Sequence, residues 1–134
     1  MSEPTWEYTV PIEIRFADLD AYGHVNNALY LTYLETARIR LFREQFGEFL
    51  ENRLMFLVVR AECDYRRPIR LQDTLHVTIS AEQVKRSSFI FCYRLHDAAG
   101  TTFAEAKTCM ACYDPDREKP TALPAPMRNF FLGQ

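Results

Sequence analysis

Phe16-Ala17-Asp18-Leu19-Asp20-Ala21-Tyr22-Gly23-His24-Val25-Asn26-Asn27 is the stretch from which the rest of this chain is best read. Upstream of it, Trp6, Tyr8, Val10, Ile12, Ile14 and Phe16 are apolar at every second position, with Glu7, Thr9, Glu13 and Arg15 between them. That alternation predicts a half-buried strand. Pro11 removes one ladder donor, which sends the strand to a sheet edge or gives it a bulge. Downstream, Asn26 or Asn27 suits a helix N-cap, because a short amide side chain accepts from the exposed N–H groups of a first turn. The helix then runs from about Ala28 to Gln45. Tyr30, Leu34, Ala37 and Leu41 share one stripe, and Leu29, Leu31, Tyr33 and Ile39 make the early turns apolar almost all round. A helix of that kind is enclosed rather than laid on a surface. Arg38, Arg40, Arg43 and Glu44 make its second half more polar, and Gly47 is a reasonable stop. The stretch thus joins a strand to a buried helix, and it is dense in carboxylates, amides and an imidazole.

Beyond the helix the chain is strand-like. Leu57 to Tyr65, Thr74 to Val84, Ser88 to His96 and Thr102 to Tyr113 are rich in branched and aromatic residues. Gln72-Asp73 and Asp97-Ala98-Ala99-Gly100 read as turns, Pro68 ends one strand, and Asp114-Pro115-Asp116 ends the last. The tail from Lys119 carries Pro120, Pro124 and Pro126 and is expected to be irregular until a short segment near Phe130. One strand, one long helix and at least four strands joined by short turns imply an antiparallel sheet and the α+β class. A length of 134 residues suits a single domain over 1–134.

Composition narrows the function classes. With 48% hydrophobic and 25% charged residues the chain can build a core and is not a disordered polyelectrolyte. A formal net charge of -2 gives no electrostatic case for nucleic acid. No apolar run approaches the roughly 20 residues of a membrane helix. Met1 to Val10, with Glu3 and Glu7, does not read as a signal peptide. A cytoplasmic setting is expected, in which Cys63, Cys92, Cys109 and Cys112 stay thiols. Cys109 and Cys112 fall in a strand at an odd separation, so they point to opposite faces and are read as packing rather than as a redox pair. There is no Gly-x-Ser-x-Gly elbow for a serine hydrolase. The four glycines, at 23, 47, 100 and 133, make no phosphate-cradling loop.

The Phe16–Asn27 stretch resembles the signature of the hot-dog acyl-CoA thioesterases, in the branch typified by 4-hydroxybenzoyl-CoA thioesterase. The shared pattern is an aromatic, Asp-x-Asp, two variable residues, Gly-His-Val-Asn-Asn, and an aromatic-rich helix. Cys63-Asp64-Tyr65-Arg66-Arg67-Pro68 fits as well, so the resemblance covers nearly the whole chain. It implies a hot-dog fold, a curved antiparallel sheet of about five strands wrapped around one long central helix. It implies hydrolysis of an acyl- or aroyl-CoA thioester to free acid and CoA, with Asp20 as the catalytic carboxylate. It further implies a homodimer or homotetramer. No cofactor and no metal are expected, because coenzyme A is part of the substrate; neither nucleic acid nor membrane is an expected partner.

The chemistry can be argued from the residues. A helix N-terminus offers unpaired N–H groups and the positive end of the macrodipole. Such donors suit a developing oxyanion. By the resemblance, the N–H near Asn27 polarises the thioester carbonyl, while Asp20 attacks it or activates a water; both routes stay open. The plainer reading of Asp20 is a turn cap. His24 orients Asp20, contacts substrate or holds the turn. Tyr22, Gly23 and Asn26 are candidate substrate contacts, Gly23 because it lets backbone approach closely. Asp18 reads as structural, accepting backbone N–H bonds. Glu35 is the competing carboxylate, and its plainer reading is an ion pair with Arg38 one turn on. Arg86, Ser87 and Ser88 are candidates for nucleotide or pantetheine contacts, with Arg66 and Arg67 as further cations. Arg60 and Lys107 are expected to pair with Glu62 or Glu105. Tyr22, Tyr30, Tyr33 and Phe56 are the candidate acyl-pocket residues. The alternative function is a non-catalytic acyl-CoA-binding hot-dog protein. A dehydratase is disfavoured, because His24 does not sit in that enzyme's helix-start motif.

Overall fold

The computed structural model describes residues 4–47 and 53–134. In chain order the elements are β1 (Tyr8–Ile12), a 3-10 turn (Phe16–Asp18), α1 (Asn27–Phe46), β2 (Met55–Tyr65), β3 (Leu75–Glu82), β4 (Ser88–His96), β5 (Thr102–Asp114), β6 (Lys119–Pro120) and α2 (Ala125–Phe131). The sheet runs β1-β3-β4-β5-β2, with β6 attached to β5, and every pairing is antiparallel. This is the α+β hot-dog arrangement, with six strands rather than about five. The extra strand is the two-residue β6, formed in the Pro-rich tail where Lys119 and Pro120 lie beside Asp114 and Tyr113. No helix among the described residues is long and apolar enough to cross a membrane.

Alternation along the strands decides which side faces the helix. Leu75, Val77 and Ile79 of β3, Phe89, Phe91 and Leu95 of β4, and Met110 and Cys112 of β5 are buried. From the helix come Tyr30, Leu34, Ala37 and Leu41, none more than 1% exposed. Burying each such leucine contributes about 1.5–3 kcal/mol. The helix is nevertheless not enclosed all round, since Leu31 and Ile39 are each 42% exposed. Exposed apolar residues also mark β2, a terminal strand of the sheet, at Met55, Val58 and Val59. Gly47 has φ -51, so the helix does not end on a left-handed glycine there.

Several local expectations need correction. The first strand is shorter than Trp6–Phe16. The chain leaves extended geometry at Phe16 because Asp18 turns back on Arg15, with Asp18 N–H donating to the Arg15 carbonyl at 2.9 Å and Arg15 N–H to Asp18 Oδ2 at 3.0 Å. Pro11 does sit on an edge strand. Of the Cys109–Cys112 pair only Cys112 is core; Cys109 is half-buried on the other face. Arg60 pairs with Glu62 at 3.1 Å, but Lys107 reaches Glu82 at 2.7 Å rather than Glu105, which lies 3.8 Å from Arg66.

The sheet has two unlike ends. The Phe16–Asn27 loop lies at the end where β4 finishes, held by Val25 N–H on the Ile69 carbonyl at 2.8 Å and by a bridge between His24 and Arg70. At the other end α2 packs Phe130 and Phe131 against Trp6, Phe46 and Phe89. The nine residues of β4 put the ends roughly 25 Å apart.

Candidate active site

The loop is shaped by one carboxylate oxygen. Asp20 Oδ1 accepts the N–H of Tyr22 at 2.9 Å and of His24 at 3.2 Å. Asp20 N–H donates to the His24 carbonyl at 2.8 Å and Gly23 N–H to the Asp20 carbonyl at 3.0 Å. Gly23 has φ +77, a conformation that strains any residue with a Cβ. Asp20 therefore does cap a turn, but with one oxygen. Its Oδ2 has no hydrogen-bond partner among the described residues, and neither does the His24 imidazole.

The start of α1 supplies the complementary group. Asn26 is the N-cap, its Oδ1 accepting Ala28 N–H at 2.9 Å while its carbonyl accepts Leu29 N–H at 2.9 Å. The N–H of Asn27 has no partner among the described residues. Asp20, Tyr22, His24 and Asn27 line one cavity of about 350 Å³, together with Tyr65 and Arg67. The structure thus brings four of the expected residues to one hollow, with Gly23 and Asn26 setting its backbone. Tyr22, 86% exposed, stands at the loop tip.

Tyr65 was not anticipated as a site residue. Its hydroxyl donates to the Asn27 carbonyl at 3.0 Å and its ring meets Tyr30 edge-on at 4.8 Å. The signal was its position at the end of β2, just before Arg66-Arg67-Pro68. Both Arg66 and Arg67 border the same cavity.

Asp18 is 2% exposed and structural, with more donors than the backbone alone. Tyr33 hydroxyl donates to Oδ2 at 2.7 Å, and the Arg15 guanidinium to Oδ1 at 2.9 Å. Burial pushes its carboxyl up, but the hydrogen bonds from Tyr33 and Arg15 outweigh that and hold it below the usual carboxylate range.

Other expected residues lie elsewhere. Arg86, Ser87 and Ser88 sit at the opposite end of the sheet, where the carbonyls of Arg86 and Ser87 accept Leu123 N–H and Cys112 N–H, each at 2.8 Å. One chain therefore does not bring them to Asp20. Glu35 makes no ion pair with Arg38; Arg38 donates instead to the Tyr93 hydroxyl at 3.3 Å, because that ring points up from the sheet toward the helix. Glu35 borders a separate hollow of about 220 Å³ with Leu31, Arg38 and Val58. Phe56, half-buried, stacks on Phe42 at 5.1 Å and packs against the core, and the Tyr33 hydroxyl is taken by Asp18. A hollow of about 310 Å³ on the outer sheet face, among Glu62, Asp64, Arg94 and Lys107, contains no residue of the Phe16–Asn27 stretch.

An unengaged carboxylate oxygen and an unengaged helix N-terminal N–H, carried by two residues that line one cavity, are groups of the kind that can act on a carbonyl. The first is a nucleophile or base, the second a donor for the oxygen.

Residues 14–131 match the thioesterase-like superfamily. The chain is similar to the acyl-CoA thioester hydrolase YbgC of Escherichia coli O6:H1, 32% identical over 117 residues, which is 85% of this chain and 87% of that protein. It is also similar to the long-chain acyl-CoA thioesterase FadM of Escherichia coli K12, 33% identical over 88% of this chain and 92% of that one. Among solved structures, a thioesterase from Thermus thermophilus complexed with coenzyme A and Zn is 35% identical, with TM-score 0.78 over 90% of this chain and 94% of that chain.

Proposed function

The chain belongs to the thioesterase-like superfamily, and from that premise we propose that it is an acyl-CoA thioester hydrolase acting through Asp20. The observation that carries the reading is the shared cavity of Asp20 and Asn27. The thioester carbonyl oxygen takes the Asn27 N–H, at the positive end of α1, where charge develops during attack. Asp20 Oδ2 then works in one of two ways. As nucleophile it bonds to the carbonyl carbon, the C–S bond breaks, CoA leaves as a thiol after taking a proton from solvent, and water cleaves the resulting anhydride to free acid and Asp20. As base it takes a proton from a water that attacks the same carbon; the C–S bond of the tetrahedral intermediate then breaks, CoA leaves as a thiol with a proton returned from Asp20 or taken from solvent, and the free acid remains. His24 borders the reacting centre and orients the water or the carboxylate. No metal or cofactor enters either route.

A homodimer accounts for Arg86, Ser87 and Ser88. Pairing two β2 edges antiparallel about a two-fold axis turns the second sheet end for end. The partner's Ser88 then lies three strand spacings from β2, roughly 14 Å, at the Asp20 end. The exposed Met55, Val58 and Val59 of β2 support that pairing. The partner's Arg86, Ser87 and Ser88 then contact the nucleotide or pantetheine of CoA, and a homotetramer is two such dimers. The four free cysteines agree with a cytoplasmic setting.

The test is thiol release from a panel of acyl-CoAs, aliphatic of several lengths plus benzoyl and hydroxybenzoyl. Turnover of at least one is expected. Tight binding by calorimetry without thiol release from any would favour the non-catalytic acyl-CoA-binding protein.

A further inference from the structure

Turnover at this site needs two groups on different elements to keep one register, Asp20 on the loop and the Asn27 N–H on α1. Asp18 is bonded to α1 twice. Its carbonyl accepts Asn26 N–H at 2.9 Å, at the helix cap, and its Oδ2 accepts the Tyr33 hydroxyl at 2.7 Å, about two turns further along. The same carboxylate holds Arg15, where the chain leaves β1. Of the two side chains that donate to Asp18, Arg15 is 69% exposed, whereas Tyr33 is buried. Water can stand in for the first and not easily for the second.

We propose that Tyr33 is a positioning residue for turnover, acting through Asp18 to fix the Asp20 loop against the N-terminus of α1. The inference rests on the hydrolase reading above. Without the hydroxyl, Asp18 Oδ2 keeps the Arg15 N–H but loses its one side-chain donor among the described residues. The loop recovers a partner by moving or by admitting water. A displacement of about 1 Å between the reacting groups costs up to roughly 100-fold in rate. The ring itself stays in Tyr33→Phe, so packing against the core is kept.

The experiment compares kcat and KM of the wild type, Tyr33→Phe, Asp18→Asn and the double variant on the acyl-CoA that the wild type hydrolyses fastest, with a melting curve for each. Tyr33→Phe, still folded, should lose about 10- to 100-fold in kcat while KM moves by no more than about twofold. In the Asp18→Asn background the same change should add little, because the two side chains act as one unit. Wild-type kcat in Tyr33→Phe would overturn the assignment, as would an equal loss in both backgrounds. A wild type that releases no thiol from any acyl-CoA would remove the hydrolase reading, and this inference with it.

Discussion

The two ends of the sheet are built on opposite terms. At the α2 end, rings close on one another: Phe89 lies 4.5 Å from Phe131, Trp6 lies 5.0 Å from Phe130, and the indole N–H finds the Phe131 carbonyl at 3.1 Å. At the Asp20 end, a carboxylate oxygen, an imidazole and a backbone N–H have no partners among the described residues, and the residues that carry them, Asp20, His24 and Asn27, line one cavity. Apolar burial and satisfied donors give stability. Unengaged polar groups at a wet surface give little stability, but they remain available to a substrate. Packed rings and unengaged polar groups thus lie at different ends of one helix.

The largest effect expected belongs to the aromatic end. Phe91, fully buried, touches the rings of Trp6, Phe42, Phe89 and Phe131. Phe91→Ala should cost about 3–5 kcal/mol of stability in urea titrations. Activity per folded molecule should hardly change. A matching loss of kcat in the chain that remains folded would break the division between the ends.

The second prediction sharpens the other end. Asn27→Pro deletes the unengaged N–H at a position where proline is compatible with helix. Asn26, with ψ 132, already has the extended geometry preferred before proline. We expect kcat to fall roughly 100- to 1000-fold with little change in stability. Asn27→Ala, which keeps the N–H, should stay near wild type.

The smallest effect lies on the outer face, near the Asp20 end. His96 is 7% exposed; its Nε2 meets Thr78 Oγ1 at 2.7 Å and its Nδ1 accepts Ala98 N–H at 3.1 Å. Burial, and then the positive charge of Arg94 and the proximity of His76, hold its pKa below the ordinary value. The unfolded chain takes up a proton near pH 6.5 that the folded chain refuses. The stabilisation is therefore complete above about pH 6.5 and declines as pH falls below it, until the folded group also protonates. Urea titrations at several pH values should show a weaker acid dependence in His96→Gln than in the wild type.

Much of this division was legible in the residues. The 2-residue period marked the first strand, the helical period gave the Tyr30, Leu34, Ala37 and Leu41 stripe, and β2 to β5 were legible as strands from their branched and aromatic residues, without their buried faces. The loop motif named Asp20, His24 and Asn27. What spacing does not give is the partner a side chain finds far along the chain. Tyr33 and Asp18 are 15 residues apart and Tyr65 and Asn27 are 38 apart, so neither bond was visible before folding. The Glu35–Arg38 pairing was predicted from helical spacing, yet the sheet offered Arg38 the Tyr93 hydroxyl instead. The distance from Arg86, Ser87 and Ser88 to Asp20 depends on strand direction, which periodicity alone leaves open. The exposure of Leu31 and Ile39 likewise depends on which side of the helix the sheet leaves uncovered.

The most direct measurement of the central claim is thiol release by Asp20→Asn beside the wild type. The amide oxygen can still accept from Tyr22 and His24, so the loop should keep its shape and the melting curve should not move. The account predicts that turnover falls roughly 100- to 10,000-fold. A folded Asp20→Asn that retained wild-type turnover would contradict it and move the catalytic role to Glu35 or His24.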